Sequence, residues 1–307
     1  MKDIMIGRII GIISSDFRIQ ESLAEGLGKK EERNSLNLYY KITDWGLIAY
    51  VTPNDYPEKF SNFMKFASVV DEIYVAFPEN PSWADGEALL LGEALGVKTN
   101  LYWREEKRRS AEAIIKGLNA RFATNINVEK KEKVSENLTV VSIDKYFKVK
   151  GVGLVSLGFV TSGTLKKGQE IRSLPTGRYW EVKSIQVLDK DYDSVGEGIR
   201  VGIALKGEDI EALEGSYCFY SGVETTKFLR GNAVSFKFSK FSINNEVFVV
   251  GRGIYVQGKA VNELKPGEEG EIEIELKGPV PVPNRYAILS PNVPRNSTRV
   301  LGYINAT

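Results

Sequence analysis

The spacing of apolar and polar positions divides the chain into two kinds of text. Residues 4–13 carry β-branched side chains almost without interruption, and residues 17–27 then place Phe17, Gln20, Leu23, Ala24 and Leu27 at helical intervals before Gly28. The pattern predicts strand, turn, helix. Residues 36–42 and 47–51 read as a hairpin, 56–66 as a helix, and 72–77 as a buried strand closed by Pro78. A helix over 83–95 stops at Gly96, a short strand follows over 97–103, and a charged helix is expected over 105–121. Such alternation implies a mostly parallel sheet covered by helices. From Leu138 onward the helical period disappears. Short runs of Val, Ile, Phe and Tyr recur between turns expected at Gly151-Val-Gly153, Gly163, Lys167-Gly168, Pro175-Thr-Gly177 and Gly196-Glu-Gly198. That is the text of small barrels or sandwiches.

The change of text falls on a charged stretch, residues 129–136, and a second break lies at 222–226. Three domains are therefore expected, over 1–134, 135–222 and 223–307. With 42% apolar and 26% charged residues, the 307-residue chain has the balance of a folded globular protein. There is no apolar run of membrane length, and Asp3, Gly7 and Arg8 interrupt the start, so neither a span nor a signal peptide is expected and the cytoplasm is the expected location. A single cysteine, Cys218, excludes an internal disulfide and a cysteine-built zinc site, and the absence of histidine removes the commonest general base. The three expected domains carry 19 basic against 20 acidic residues, 11 against 12, and 11 against 8. Charge alone does not announce a nucleic-acid binder.

The sharpest signal is in the middle piece. Ser142-Ile-Asp-Lys-Tyr-Phe147-Lys-Val-Lys-Gly151-Val-Gly-Leu-Val-Ser-Leu-Gly158 is followed by Ser162-Gly-Thr-Leu-Lys-Lys-Gly168, by Val182-Lys-Ser-Ile-Gln186, and by Gly198-Ile-Arg-Val-Gly-Ile-Ala-Leu-Lys-Gly207. This order resembles the second domain of elongation factor Tu, of initiation factor two gamma and of selenocysteine-specific factors. The closing Arg299-Val-Leu-Gly302-Tyr-Ile304 resembles the last strand of that family's third domain. The first third then overlays on the GTPase domain of archaeal selenocysteine-factor-like proteins, through Leu23-Ala-Glu-Gly-Leu-Gly28, Tyr56-Pro-Glu-Lys-Phe60 and Gly86 to Lys98. The fold class this implies is multidomain α/β plus β, a degenerate P-loop-GTPase-like α/β domain followed by two β-barrels.

Laid over the family's motifs, the chemistry of that domain is missing. A phosphate loop needs glycines, then Lys, then Ser or Thr. The overlay places Ser14 and Ile19 at the glycines, Gln20 at the lysine and Glu21 at the hydroxyl. The motif that positions magnesium, γ-phosphate and water falls on Thr52, Asn54, Asp55 and Tyr56, with Asp55 expected to face the γ-phosphate. The guanine-reading segment falls on Glu105, Glu106 and Arg108, and Arg offers only donors. No catalytic residue, no cofactor and no metal are expected, and the segment between Gly28 and Tyr39 is short for the family's switch loop.

Several local patterns have simpler readings. Gly26-Leu-Gly28-Lys29 reads as a helix end, Ser14-Ser15-Asp16 as a helix N-cap, Asp189 to Asp193 as a hairpin turn, and Cys218 as a core residue. For RNA, the resemblance puts Ile185, Gln186, Arg200, Val201 and Gly202 on the wall of the pocket that takes the aminoacylated end of tRNA in the family. In the last piece Arg230, Lys237, Lys240 and Arg252 mix with Phe236, Phe238 and Phe241, which suits either an RNA track or, preferably, an alternating strand with its charges outward. The implied function is that of an elongation-factor-like protein unable to bind or hydrolyse GTP. Expected partners are tRNA or aminoacyl-tRNA, the ribosome or another translation protein. A protein-interaction scaffold and a residual GTP-binding factor are the alternatives.

Overall fold

In the computed structural model, which describes residues 4–33, 35–131, 137–207 and 209–307, the apolar run near the start forms β1 (Gly7–Ile13). It lies at the centre of a seven-stranded sheet, and its neighbours run parallel to it, so it is buried on both faces and shows no alternation. The chain continues through α1 (Phe17–Leu27), β2 (Lys29–Arg33), β3 (Leu36–Ile42), β4 (Leu47–Pro53), α2 (Phe60–Val69), β5 (Glu72–Ala76), α3 (Trp83–Leu95), β6 (Lys98–Tyr102), α4 (Arg108–Ile115) and β7 (Ala120–Ala123). Their order across the sheet is β2-β3-β4-β1-β5-β6-β7, with β3 antiparallel to both β2 and β4.

Two expected helices are corrected here, and one strand was not expected. The helix expected over 56–66 starts at Phe60, because Tyr56 turns inward to stack on Phe63 with ring centroids 5.1 Å apart. The helix expected over 105–121 is a 3-10 turn, Glu105–Lys107, and then α4; Gly117 at φ 85 ends it, and residues 120–123 pair parallel with β6 instead. The Lys-Lys-Glu-Glu-Arg run of β2 is a strand only through its antiparallel pairing with β3.

The second unit contains β8 (Thr139–Val149), β9 (Gly153–Lys166), β10 (Glu170–Leu174), β11 (Tyr179–Val187), β12 (Lys190–Tyr192), β13 (Ser194–Gly196), β14 (Ile199–Lys206) and β15 (Cys218–Ser221). Pairing of β10 with both β15 and β11 closes the path β10-β15-β8-β9-β14-β11 on itself. Gly163 is not a turn but lies inside β9, where a Cβ would stand 1.9 Å from the Leu138 carbonyl oxygen. The third unit is a closed barrel of β16 (Glu224–Ser235), β17 (Ile243–Gly251), β18 (Ile254–Leu264), β19 (Glu269–Val282), β20 (Asn284–Leu289) and β21 (Val300–Ala306). The boundary expected at 134/135 lies outside the described residues; the stretch at 222–223 separates β15 from β16.

The units share buried contacts. One apolar cluster runs from Ile9 and Phe63 through Val141 and Phe159 to Leu289 and Val300. Between the first and third units, Arg299 donates Nε to Glu87 Oε1 at 2.9 Å, its backbone N–H to the same oxygen at 2.6 Å, and Nη1 to the Pro57 carbonyl at 2.8 Å. The rings of Tyr56, Phe60, Phe63 and Trp83 surround its guanidinium. Glu87 is wholly buried, so this pair is a fixed joint rather than a surface contact. Between the first and second units, Asp144 accepts from Lys65 and, at 3.1 Å, from Arg200. Burial alone would raise the Asp144 carboxyl, but those two cations outweigh it and hold it below the usual carboxylate range.

Candidate functional site

Open α/β sheets offer ligand sites at the carboxyl ends of their strands. Here that place is the turn from β1 into α1, and the protein's own groups occupy it. Ser14 N–H donates to Gln20 Oε1 at 3.3 Å and Ser15 N–H to Asp85 Oδ1 at 2.8 Å. Asp16 N–H donates to Ser14 Oγ, and the N–H groups of Arg18, Ile19 and Gln20 donate to the side chain or carbonyl of Asp16, the helix N-cap. Six of the amides that an anion would need are thus already bonded. Gln20 is fully buried and spends its Nε2 on the Pro53 carbonyl at 3.1 Å.

Glu21 sits one residue further along α1, in a cage of donors. Its two oxygens accept from Tyr39 OH at 2.5 Å, Thr52 Oγ1 and Asn37 Nδ2 at 2.7 Å, and Lys30 Nζ at 2.9 Å. These donors come from β2, β3 and β4, so the antiparallel half of the sheet builds the cage. Burial by itself would raise the Glu21 carboxyl, but the four hydrogen bonds more than reverse that and leave it below its ordinary value. The Tyr39 phenol is pushed up to about 12, first by burial and then by its bond to Glu21. Asp85 closes the other side, accepting from Ser15 Oγ at 2.7 Å and from Ser82 N–H at 2.7 Å. Lys30, Asn37, Tyr39 and Asp85 escaped the reading of the sequence; the one local signal was the capping box Ser82-Trp-Ala-Asp85 at the start of α3.

The other motif positions are equally committed. Thr52 belongs to the Glu21 cage, and Asn54 accepts from Asn37 Nδ2 at 2.8 Å. Asp55, at φ 54, pairs with Lys59 at 2.7 Å on the surface. Tyr56 points away, donating its hydroxyl to the Ala84 carbonyl at 2.6 Å beside the Arg299 joint. Glu105 and Arg108 pair with each other at 2.6 Å, and Glu106 lies 3.4 Å from Arg104, all on the exterior. A cavity of about 750 Å³ lies beside the turn, walled by Ile19, Leu23, Phe77, Tyr102 and Trp103, and Gln20 and Glu21 are not on its wall. Gly28 ends α1 with its N–H on the Ala24 carbonyl, the turn expected over 189–193 is instead tight at residues 188–189, with Lys190–Tyr192 paired to β11 as strand β12, and Cys218 is a buried core residue. Among the described residues no group of three His, Cys, Asp or Glu is placed to hold a metal ion, and no helix is long and apolar enough to cross a membrane.

The second place of interest is a groove of about 450 Å³ between the first sheet and the second unit. Tyr40 and Leu47 line one side; Gln186, Arg200, Val201 and Gly202 line the other, with Lys145 and Leu188. Ile185 departs from expectation, since the alternation of β11 turns it into the barrel core, where it is wholly buried. The cations of the third unit do not form one track. Arg230 pairs with Glu273 at 2.6 Å, Lys237 and Lys240 lie beyond the end of β16 in a loop rather than on an alternating strand, and Arg252 lies in the turn after β17.

The family Elongation factor Tu domain 2 matches residues 153–216. An uncharacterized protein of Methanocaldococcus jannaschii is 30% identical over 208 residues, 63% of this chain and 67% of the relative. The selenocysteine-specific elongation factor of the same organism is 42% identical over 71 residues, which is 23% of this chain and 15% of that protein. Among solved structures, translation elongation factor SelB from Methanococcus maripaludis, in complex with the GTP analogue GppNHp, superposes with a TM-score of 0.76 at 19% identity, covering 99% of this chain and 79% of that one. Its apo form gives 0.75 at 18% identity, covering 99% and 80%.

Proposed function

Because the chain belongs to the translational GTPase family, we propose that it is an elongation-factor-like protein that works without a guanine nucleotide. The observation that carries the reading is the internal occupation of the cradle: Glu21 with four donors of its own, Gln20 bonded to backbone, and Asp85 on the amide of Ser15. A triphosphate with magnesium does not fit these residues. There is no lysine or hydroxyl at the positions that need them, and one carboxylate about 4 Å from one phosphate charge costs ~4 kcal/mol at an effective dielectric near 20. That is roughly three decades of affinity. At the guanine positions, Glu105 and Arg108 bond to each other.

In a factor of this design the three units are held together by fixed joints, Arg299 with Glu87 and Asp144 with Lys65 and Arg200, rather than by a nucleotide-ordered loop. The groove bearing Gln186, Arg200, Val201 and Gly202 takes RNA, with the 3′ end of a tRNA as the reading the family favours, and the protein acts in the cytoplasm with the translation machinery. The test is filter binding of tRNA with and without GTP or GDP. Affinity that is the same within about twofold is expected; a clear nucleotide-dependent shift overturns the reading.

One observation favours a second reading, a docking scaffold. A cleft of about 320 Å³ between α3, α4 and residues 296–298 carries the exposed side chains of Ile114 and Phe238. Pull-down after nuclease treatment separates the two, because a protein partner survives loss of RNA.

A further inference from the structure

Away from the cradle and the groove, a cavity of about 410 Å³ opens where the three units meet. Arg8, Lys98 and Lys131 reach its wall from the first unit, Thr161 and Glu197 from the second, and Arg252 and Arg285 from the third. Three of the five cations have internal counterions. Lys131 lies 2.9 Å from both Asp71 and Glu197, and Arg8 and Lys98 share the buried Glu72 at 2.9 and 3.2 Å. Asp71 and Glu197 also accept from the backbone N–H groups of Ile9 and Gly163.

Arg252 and Arg285 have no carboxylate partner among the described residues. Arg285 donates to the carbonyls of Ala94 at 3.0 Å and Glu93 at 2.5 Å, and so covers the negative end of α3. The Ser68 carbonyl near the end of α2 is covered by Gly253 N–H at 2.6 Å. With both helix ends capped, and Glu72, Asp71, Glu197 and, at 3.7 Å from Lys98, the exposed Glu129 set against the other three cations, Arg252 and Arg285 are the two cations of the wall that face no carboxylate. Arg8 adds positive charge to the wall, although its Nε is sealed from solvent and its Nη2 is held by Glu72 at 2.9 Å.

The backbone gives a second, independent observation. Arg252 and Gly253 form the two-residue turn from β17 to β18, with φ 49 and 86. A turn with both φ values positive favours Asn, Asp or Gly at its first position, so an Arg there is held in a disfavoured conformation. Strain of this kind is tolerated where a side chain has a task.

We propose that this junction binds a small, multiply charged anion of the phosphate class through Arg252 and Arg285, and that the bound anion ties the third unit to the first. The volume suits a small ligand rather than a polymer. The proposal does not rest on the nucleotide-free reading of the cradle. The test is isothermal titration of the full chain with inorganic pyrophosphate at constant ionic strength, beside Arg252→Gly. Glycine fits the turn better than arginine, so that variant is expected to melt no lower than the parent without anion. Saturable one-site heat in the parent, weakened about tenfold or more in Arg252→Gly, is expected; Arg285→Gln is expected to weaken it as well. Absence of saturable heat overturns the proposal, and so does heat that Arg252→Gly leaves unchanged, which would place the anion elsewhere.

Discussion

The turn at the end of β1 and the groove against the second unit are built in opposite ways. At the cradle, six amides and both oxygens of Glu21 are bonded internally, through residues drawn from α1, β2, β3, β4 and α3. At the groove, an opening of about 450 Å³ remains between units. Once its donors and acceptors are matched, the turn becomes part of the core and contributes to stability.

The largest expected effect is on the filled side. Glu21→Ala strands four donors, three of them (Asn37, Tyr39 and Thr52) wholly buried, and is expected to cost about 3 kcal/mol in urea unfolding. Glu21→Gln keeps the shape but turns a donor toward Lys30 or Asn37, so a loss of about 1–2 kcal/mol is expected. A neutral result for both would make the cage an accident of packing.

On the open side, Lys145→Ala and Gln186→Ala are expected to change stability by no more than about 0.5 kcal/mol. Lys145→Ala is expected to lower the salt dependence of RNA binding by ~0.7–0.9 in log–log slope, as for one lost phosphate contact. An unchanged slope would move RNA off this groove.

Acidity sharpens the contrast in smaller steps. The folded-state Glu21 carboxyl lies below its ordinary value, so its contribution is complete above the unfolded value of about 4.3 and is lost as pH falls through the folded one. Glu21→Gln is expected to flatten that acid limb, as read from melting temperature against pH. Tyr39 behaves oppositely. Its folded value of about 12 exceeds the ordinary one, so its share of stability is full below about pH 10 and is lost as pH rises toward 12.

Much of the framework was legible because local signals agreed with the fold. Residues 17–27 and 83–95 have helical period and clear stops, and the hairpin of β3 and β4 has strand composition on both arms. The misses share one cause. Lys-Lys-Glu-Glu-Arg becomes β2, and Ala-Arg-Phe-Ala becomes β7, only because a neighbouring strand supplies the ladder, and no short run announces that. The site was half legible. Gln20 and Glu21 stood in the sequence where the resemblance implies a lysine and a hydroxyl, whereas the cage did not, since Lys30, Asn37, Tyr39 and Thr52 reach Glu21 through sheet register. The alternation that faces Gln186 outward turns Ile185 inward, which the resemblance alone did not distinguish.

The most direct test is calorimetric titration of GTP with magnesium into the Arg252→Gly chain, in which the junction's hold on phosphate is weakened. The account predicts no saturable heat of micromolar or tighter affinity. Binding in the micromolar range or tighter would mean that Glu21, Gln20 and Asp85 yield to a triphosphate, and would contradict it.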